Sequence, residues 1–131
     1  MVKVDMAKVL IVEDEIALQE LYAKILRDEH IEVESASNGQ EGLEKVKTFM
    51  PDLVILDLLM PEMSGFDVLD KIKSDPATKH IKVIVLTNIM PSRDELLKSG
   101  ADGLLLKFEN TPGQLIEKVK SVLSGATETK H

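Results

Sequence analysis

Four short apolar runs recur along this chain of 131 residues, and they constrain its fold more than any other feature. They occupy residues 9–12, 53–56, 83–86 and 104–106, and each is almost continuously apolar. Such runs are typical of strands that are buried on both faces of a parallel sheet, whereas alternating runs indicate strands with one wet face. A fifth run, residues 31–36, does alternate and therefore predicts an edge strand.

Amphipathic helical patterns lie between the predicted strands. Leu18, Leu21, Tyr22 and Ile25, for example, recur at three- and four-residue spacing, which places them on one helical face. Three pairs have the spacing of capping boxes at helix starts: Asn38 with Glu41, Ser92 with Glu95, and Thr111 with Gln114. Strand and helix alternate about five times, which predicts an α/β fold with a doubly wound, five-stranded parallel sheet and helices on both of its faces.

The composition narrows the classes of function. The 16 basic and 23 acidic residues give a net charge of −7, which argues against binding to nucleic acid or to an anionic membrane surface. The chain has no cysteine, so disulfides and thiolate chemistry are excluded. No apolar run approaches the roughly 20 residues of a membrane span, and the N-terminus does not resemble a signal peptide. We therefore expect a cytoplasmic protein with a single domain over residues 1–131, of which 125–131 form a tail.

Polar residues stand where the predicted strands end. Five of them have side chains suited to chemistry: Glu13, Asp14, Asp57, Thr87 and Lys107. The carboxyl ends of parallel strands share one edge of the sheet, where doubly wound folds bind their ligands. Each residue taken alone has an ordinary interpretation, such as a helix cap, a turn residue or a solvated lysine. Their coincidence at one edge favours a functional site.

The chemistry of such a cluster is specific. Two carboxylates about 4 Å apart repel by about 4 kcal/mol at an effective dielectric constant near 20. Three therefore do not stay ionised together unless a cation binds them or one holds a proton. Ligands that are all oxygen atoms favour a hard ion such as Mg²⁺. A lysine and a threonine nearby could stabilise a phosphoryl group in transfer, and an aspartate could accept it covalently.

Three segments resemble the receiver domains of bacterial response regulators. Residues 57–67, Asp-Leu-Leu-Met-Pro-Glu-Met-Ser-Gly-Phe-Asp, closely resemble the segment around that family's phosphorylated aspartate. Residues 9–15 resemble its first strand and acid pair, and residues 100–103 resemble the start of its fifth strand. The resemblance covers residues 7–124. It implies a flavodoxin-like three-layer sandwich, (βα)5, with strand order 2-1-3-4-5.

The resemblance also implies a role for each residue of the cluster. Asp57 would accept a phosphoryl group from a phosphohistidine on a sensor histidine kinase or a histidine phosphotransfer protein. Thr87 and Lys107 would contact that group. Mg²⁺ would be held by Glu13, Asp14, Asp57 and the backbone carbonyl of Leu59. Such a domain is a signalling module rather than a turnover enzyme, because it catalyses only its own Mg-dependent phosphorylation and dephosphorylation.

Several residues depart from the family's pattern. Leu104 replaces a common Tyr or Phe, Phe108 replaces a common Pro after the lysine, and Asn88 replaces a small residue. The stretch from Thr87 to Gly100 is about two residues shorter than usual, which predicts a short or shifted fourth helix. These changes fall on the surface of the fourth helix, fifth strand and fifth helix, which family members use for output or dimerisation. A non-switching adaptor that acts through protein–protein contacts therefore stays an alternative.

Two further alternatives carry less weight. Aspartate-dependent phosphatases have a second Asp two positions after the nucleophile, whereas this chain has Leu59 there. A nucleotide- or flavin-binding domain needs a glycine- or hydroxyl-rich loop after its first strand. Here that position holds three acids, residues 13–15, which repel phosphate.

Overall fold

The computed structural model describes residues 7–88, 90–107 and 109–125. Strands and helices alternate along these residues in this order: β1 (Lys8–Val12), α1 (Ile16–Arg27), β2 (Glu32–Ala36), α2 (Gly39–Phe49), β3 (Leu53–Asp57), α3 (Gly65–Ser74), β4 (Lys82–Thr87), α4 (Arg93–Ser99), β5 (Gly103–Leu106) and α5 (Pro112–Leu123). The expectations for Phe108 and for residues 126–131 of the tail lie outside the described residues.

The strands form one parallel sheet in the order β2-β1-β3-β4-β5, which confirms the predicted fold and strand order. Val12 of β1 pairs with Leu56 of β3, so the residues that follow these two strands emerge side by side. On the other side of β3, Asp57 pairs with Leu86 of β4. Thr87 of β4 pairs in turn with Leu106 of β5. The strand register alone thus brings the predicted site residues to one edge of the sheet.

The core consists of two apolar layers, one on each face of the sheet, because neighbouring residues of a strand point to opposite faces. Val9 and Ile11 face the layer that α1 and α5 cover, whereas Leu10 and Val12 face the layer under α2 and α3. Every residue of β3 is buried, as the continuous apolar runs predicted. At the edge, β2 exposes Glu32 and Glu34 and buries Val33, which confirms the interpretation of its alternating pattern.

The helix starts follow the sequence signals with one exception. The capping boxes at Ser92 and Thr111 are both present. The Asn38 side chain accepts the Glu41 N–H at 2.9 Å, but the Glu41 carboxylate accepts the N–H of Ser37 instead of that of Asn38. Of the two hydrogen bonds of the predicted capping box, the one from the Asn38 N–H to the Glu41 side chain is therefore wrong. The Ser37 N–H binds that carboxylate instead.

Helix α4 is short, with 7 residues, and none of its side chains is buried. This agrees with the short fourth helix that the sequence predicts. Of the helices in the described ranges, none combines the length and the apolar character that a membrane crossing requires.

Candidate functional site

Three carboxylates meet at the carboxyl edge of the sheet. Oxygen atoms of Glu13, Asp14 and Asp57 all lie within 4.8 Å of one another. Glu13 and Asp57 are completely buried, whereas Asp14 is half-buried. The pairing of β1 with β3 explains their proximity, because Glu13 and Asp14 follow β1 directly and Asp57 is the last residue of β3.

Among the described residues, Lys107 faces this cluster from the end of the edge strand β5, with β4 lying between β5 and β3. Lys107 follows β5, and its backbone N–H donates to the carbonyl of Thr87 at 2.8 Å, which fixes where the side chain begins. Its Nζ lies 3.0 Å from Glu13 Oε1 and 3.1 Å from Asp57 Oδ2. The lysine is itself only 7% exposed, so these ion pairs are shielded from water. Lys107 therefore joins the two buried acids electrostatically.

The loop after β3 holds the Asp57 carboxylate in place. The backbone N–H of Leu59 donates to Asp57 Oδ1 at 3.0 Å, while Oδ2 faces Lys107. The loop then folds back so that the Gly65 N–H donates to the carbonyl of Leu58 at 3.0 Å. A Cβ on Gly65 would overlap the carbonyl oxygen of Asp57 and lie 2.6 Å from the Cα of Leu58. Glycine is thus required for this close approach of α3 to the site.

Burial sets the protonation of the cluster. Burial raises the pKa of Glu13 to about 7, against the lowering effect of its hydrogen bonds. Burial also raises the pKa of Asp57, although the Leu59 N–H and Lys107 favour its ionised form. For Lys107, burial lowers the pKa, but the neighbouring carboxylates of Glu13 and Asp57 outweigh this effect and raise the pKa overall. The acids thus stabilise the charge on the lysine, while their own ionisation is costly.

The donor set fits a divalent cation. If the three acids and Lys107 are all ionised, the cluster carries a surplus of two negative charges. Glu13 Oε1 is buried and lacks a hydrogen bond among the described residues, although Lys107 Nζ is 3.0 Å away. A buried acceptor without a hydrogen bond is costly and suits a cation ligand. Oxygen ligands from few side chains favour Mg²⁺ over softer metals.

Comparison with known proteins identifies the family to which this arrangement belongs. Residues 9–120 match the family described as the response regulator receiver domain. The chain belongs to this family. The receiver domain is 38% identical over 103 residues to the response regulator PleD of Caulobacter vibrioides, an alignment that covers 77% of this chain and 23% of PleD. It is also 38% identical over 93 residues to the nitrate/nitrite response regulator NarL of Escherichia coli, covering 71% of this chain and 43% of NarL.

Solved structures agree with the family assignment. The chemotaxis protein CheY4 of Vibrio cholerae superposes with a TM-score of 0.84 at 32% identity, covering 89% of this chain and 98% of that protein. The signal receiver domain of a histidine kinase from Syntrophus aciditrophicus has a TM-score of 0.81 at 35% identity, with 94% of each chain covered. By contrast, this chain spans less than half of PleD and of NarL, so a receiver domain is what it shares with them.

The other two predicted site residues, Thr87 and Leu59, lie close to Asp57. Thr87 is buried at the end of β4, one residue beyond Leu86, the strand partner of Asp57. Leu59 has an exposed side chain, and its backbone N–H rather than its side chain contacts Asp57. The phosphoryl contact of Thr87 and the metal contact of the Leu59 carbonyl stay predictions.

Two residues of the site were not singled out from the sequence. The buried Gln19 side chain donates to the carbonyl of Glu13 at 3.0 Å and to that of Ala36 at 3.1 Å, which holds the backbone of an acid against the end of β2. The sequence could have indicated Gln19, because it is a polar residue on the helical face that also carries Tyr22, Ala23 and Leu26. Glu15 is the second; its Oε1 lies 3.3 Å from Lys107 Nζ.

The departures from the family pattern lie on one side of the domain. Leu104 of β5 is half-buried and packs against the apolar layer under α2 and α3. Asn88, after β4, is exposed. The expected difference at Phe108 lies outside the described residues.

Proposed function

We propose that Asp57 accepts a phosphoryl group from a phosphohistidine in a Mg-dependent reaction, and that the modified domain changes its partner binding. One observation carries the proposal: Lys107 Nζ lies 3.1 Å from a carboxylate oxygen of Asp57, inside a cluster of acids that suits a divalent cation. A lysine here offsets the charge of an incoming phosphoryl group. The family assignment of residues 9–120 supports the same role.

The chemistry is a phosphoryl exchange between two side chains. A carboxylate oxygen of Asp57 attacks phosphorus, the P–N bond of the phosphohistidine breaks, and the imidazole leaves with the bond's electron pair and takes up a proton. Four ligands would hold Mg²⁺: Glu13, Asp14, Asp57 and the backbone carbonyl of Leu59. Bound there, the cation supplies positive charge that offsets the charge of the phosphoryl oxygens. Water then attacks phosphorus, the P–O bond to Asp57 breaks, and inorganic phosphate leaves. The Asp57 carboxylate is restored, so the domain returns to its starting state without turning over another substrate.

The family assignment supports a proposal for the phosphoryl donor and for the output surface. We propose a sensor histidine kinase or a histidine phosphotransfer protein as donor, in the cytoplasm. A phosphoryl group adds a charge of about −1.5 to −2 beside Thr87 and Lys107, which biases the elements that hold them, β4 and β5. These strands lead to the surface of α4, β5 and α5, where we place an output contact or a dimer interface.

A second candidate is an adaptor that binds its partner without switching. The observation that favours it is Leu104, a half-buried aliphatic side chain packed into the core at the position of the family's common aromatic residue. In the family, that aromatic side chain moves together with the threonine on activation. With Leu104 in its place, a switch of that kind lacks the aromatic partner of Thr87. In this case Asp57 is modified but the α4–β5–α5 surface stays as it is.

Acetyl phosphate with Mg²⁺ tests the proposal. We expect intact-protein mass spectrometry to show one phosphoryl adduct on the wild type and none on Asp57→Asn. EDTA should prevent the adduct. Asp70→Asn, which changes an exposed aspartate of α3, is the matched control and should be modified like the wild type. Equal adducts on wild type and Asp57→Asn would refute the assignment.

Backbone amide NMR separates the two candidates. Beryllofluoride, a phosphoryl mimic, should shift resonances near Asp57 in either case. Shifts that extend to α4 and β5 support the switching receiver. Shifts confined to the site support the adaptor.

A further inference from the structure

Glu15 provides Lys107 with a third carboxylate partner. Its Oε1 lies 3.3 Å from Lys107 Nζ, in addition to the contacts with Glu13 and Asp57. The hydrogen bonds of the ammonium go to Glu15 and Asp57, whereas Glu13 Oε1 receives none. An ammonium has three N–H donors, so each one given to Glu15 is unavailable to another acceptor.

Glu15 differs from the other two acids in its exposure. Its side chain is 54% exposed, whereas those of Glu13 and Asp57 are completely buried. Glu15 also occupies the cap position before α1 without making a side-chain cap. Its backbone N–H donates to Glu13 Oε2 at 2.9 Å, which fixes the main chain and leaves the carboxylate to Lys107. The carboxylate can therefore leave Lys107 for water at little cost in desolvation, which the buried acids cannot do.

We propose that Glu15 is a positioning residue that competes with the phosphoryl group on Asp57 for Lys107 and so disfavours the phosphorylated state. The inference rests on the proposed phosphoacceptor role of Asp57. A phosphoryl group brings about −1.5 to −2 of charge to the atom that Lys107 contacts. Its oxygens and the Glu15 carboxylate compete for the positive charge of the same ammonium, and the Glu15 carboxylate repels them. Glu15 thus lowers the phosphorylated fraction without being a metal ligand or a phosphate ligand itself.

The variant Glu15→Gln tests this competition, because it keeps the size of the side chain and the backbone hydrogen bond but removes the charge. The probe is beryllofluoride with saturating Mg²⁺, and the measurement is its dissociation constant by titration calorimetry. We expect Glu15→Gln to bind beryllofluoride about two- to five-fold more tightly than the wild type, the range that half-exposed ion pairs support. The matched control is Glu20→Gln, which removes the same charge from an exposed position on α1 and should leave the constant unchanged.

Two further readouts separate charge competition from a disturbed structure. The difference between wild type and Glu15→Gln should shrink when the ionic strength rises from about 0.01 M to about 1 M, since the Debye length falls from about 30 Å to about 3 Å. Binding of Mg²⁺ alone should be unchanged or weaker in Glu15→Gln, because a nearby negative charge is lost. A disturbed site would instead weaken the binding of both beryllofluoride and Mg²⁺, at every salt concentration.

The outcomes distinguish this inference from the proposed function. Tighter beryllofluoride binding that is sensitive to salt, without tighter Mg²⁺ binding, supports the role of Glu15. Unchanged or weaker beryllofluoride binding in Glu15→Gln overturns that role and leaves the phosphoacceptor proposal intact. A wild type that binds Mg²⁺ but not beryllofluoride overturns both.

Discussion

Replacing Lys107 by methionine should make the stability of the domain depend strongly on pH and on Mg²⁺. The methionine keeps an unbranched apolar side chain of similar length but removes the ammonium that faces Glu13 at 3.0 Å and Asp57 at 3.1 Å. Both acids are completely buried, so water does not replace the lost partner. The variant thus leaves two buried carboxylates facing each other without their cation.

The structure sets the size of the effect. Removing one partner of a buried ion pair costs about 3–5 kcal/mol. Two carboxylates 4.8 Å apart, the outer limit within this cluster, add a repulsion of about 3 kcal/mol at an effective dielectric constant of 20. Because proton uptake by the acids relieves both costs, we expect a loss of about 3–5 kcal/mol in the free energy of unfolding at pH 8.

The direction of the pH effect follows from linkage. The pKa of Glu13 is raised from 4.5 to about 7, so between these values the folded state binds a proton that the unfolded chain has released. Stability therefore falls as the pH rises through this window. Lys107 lowers the pKa of both Glu13 and Asp57, so its removal raises them further and extends the fall above pH 7. At pH 5, where the buried Glu13 holds a proton, the variant should lose less stability than at pH 8.

Urea unfolding followed by circular dichroism at pH 5 and pH 8, each in EDTA and in Mg²⁺, measures these differences. Mg²⁺ should stabilise Lys107→Met more than the wild type, because the cation no longer competes with the ammonium. The control is Lys73→Met, which breaks a 3.0 Å ion pair with Asp102 elsewhere in the fold and should cost about 1–3 kcal/mol at both pH values, with no rescue by Mg²⁺. The reasoning is refuted if Lys107→Met loses the same stability at pH 5 as at pH 8.

Two other predictions concern the loop and the metal. Gly65→Ala should destabilise the domain by about 1–3 kcal/mol and weaken Mg²⁺ binding in calorimetry, since its Cβ meets the backbone of Asp57 and Leu58. Gly113→Ala, whose Cβ meets only Thr111 Oγ1 at 3.9 Å, should instead stabilise by about 0.5–1 kcal/mol; a loss in both variants would contradict the close-approach argument. Mg²⁺ affinity should fall as the pH drops below about 7, because the buried Glu13 takes up a proton, and Glu13→Gln should lack this dependence near pH 7.

The sequence predicted the sheet well because each strand has a local pattern of apolar and polar residues that reflects its burial. A continuous apolar run such as residues 53–56 is compatible with few environments other than a sheet covered on both faces, and β3 is indeed buried throughout. The alternation of β2 identified the edge in the same way. Parallel pairing then brings Glu13, Asp57 and Lys107 together without further information from the sequence.

Other features depend on contacts that no local pattern encodes. In the sequence, nothing distinguishes Glu15 from the other acids that follow β1. Its contact with Lys107 joins residues 92 positions apart. Met50 and Glu62 adopt left-handed backbone conformations, with φ of 52° and 70°, although neither is a residue type that favours them. Gln19 is buried on an otherwise apolar helix face because the carbonyls of Glu13 and Ala36 need donors. In each case the tertiary environment decides, and the residue type alone does not.

The central claim is that Asp57 carries the phosphoryl group, and reductive trapping tests it most directly. Borohydride converts an aspartyl phosphate into homoserine, and peptide mass spectrometry then locates the converted residue. After treatment with acetyl phosphate and Mg²⁺, we predict homoserine at position 57 alone, and none when EDTA is present. Homoserine at Asp14 or at another aspartate, with position 57 unchanged, would contradict the account.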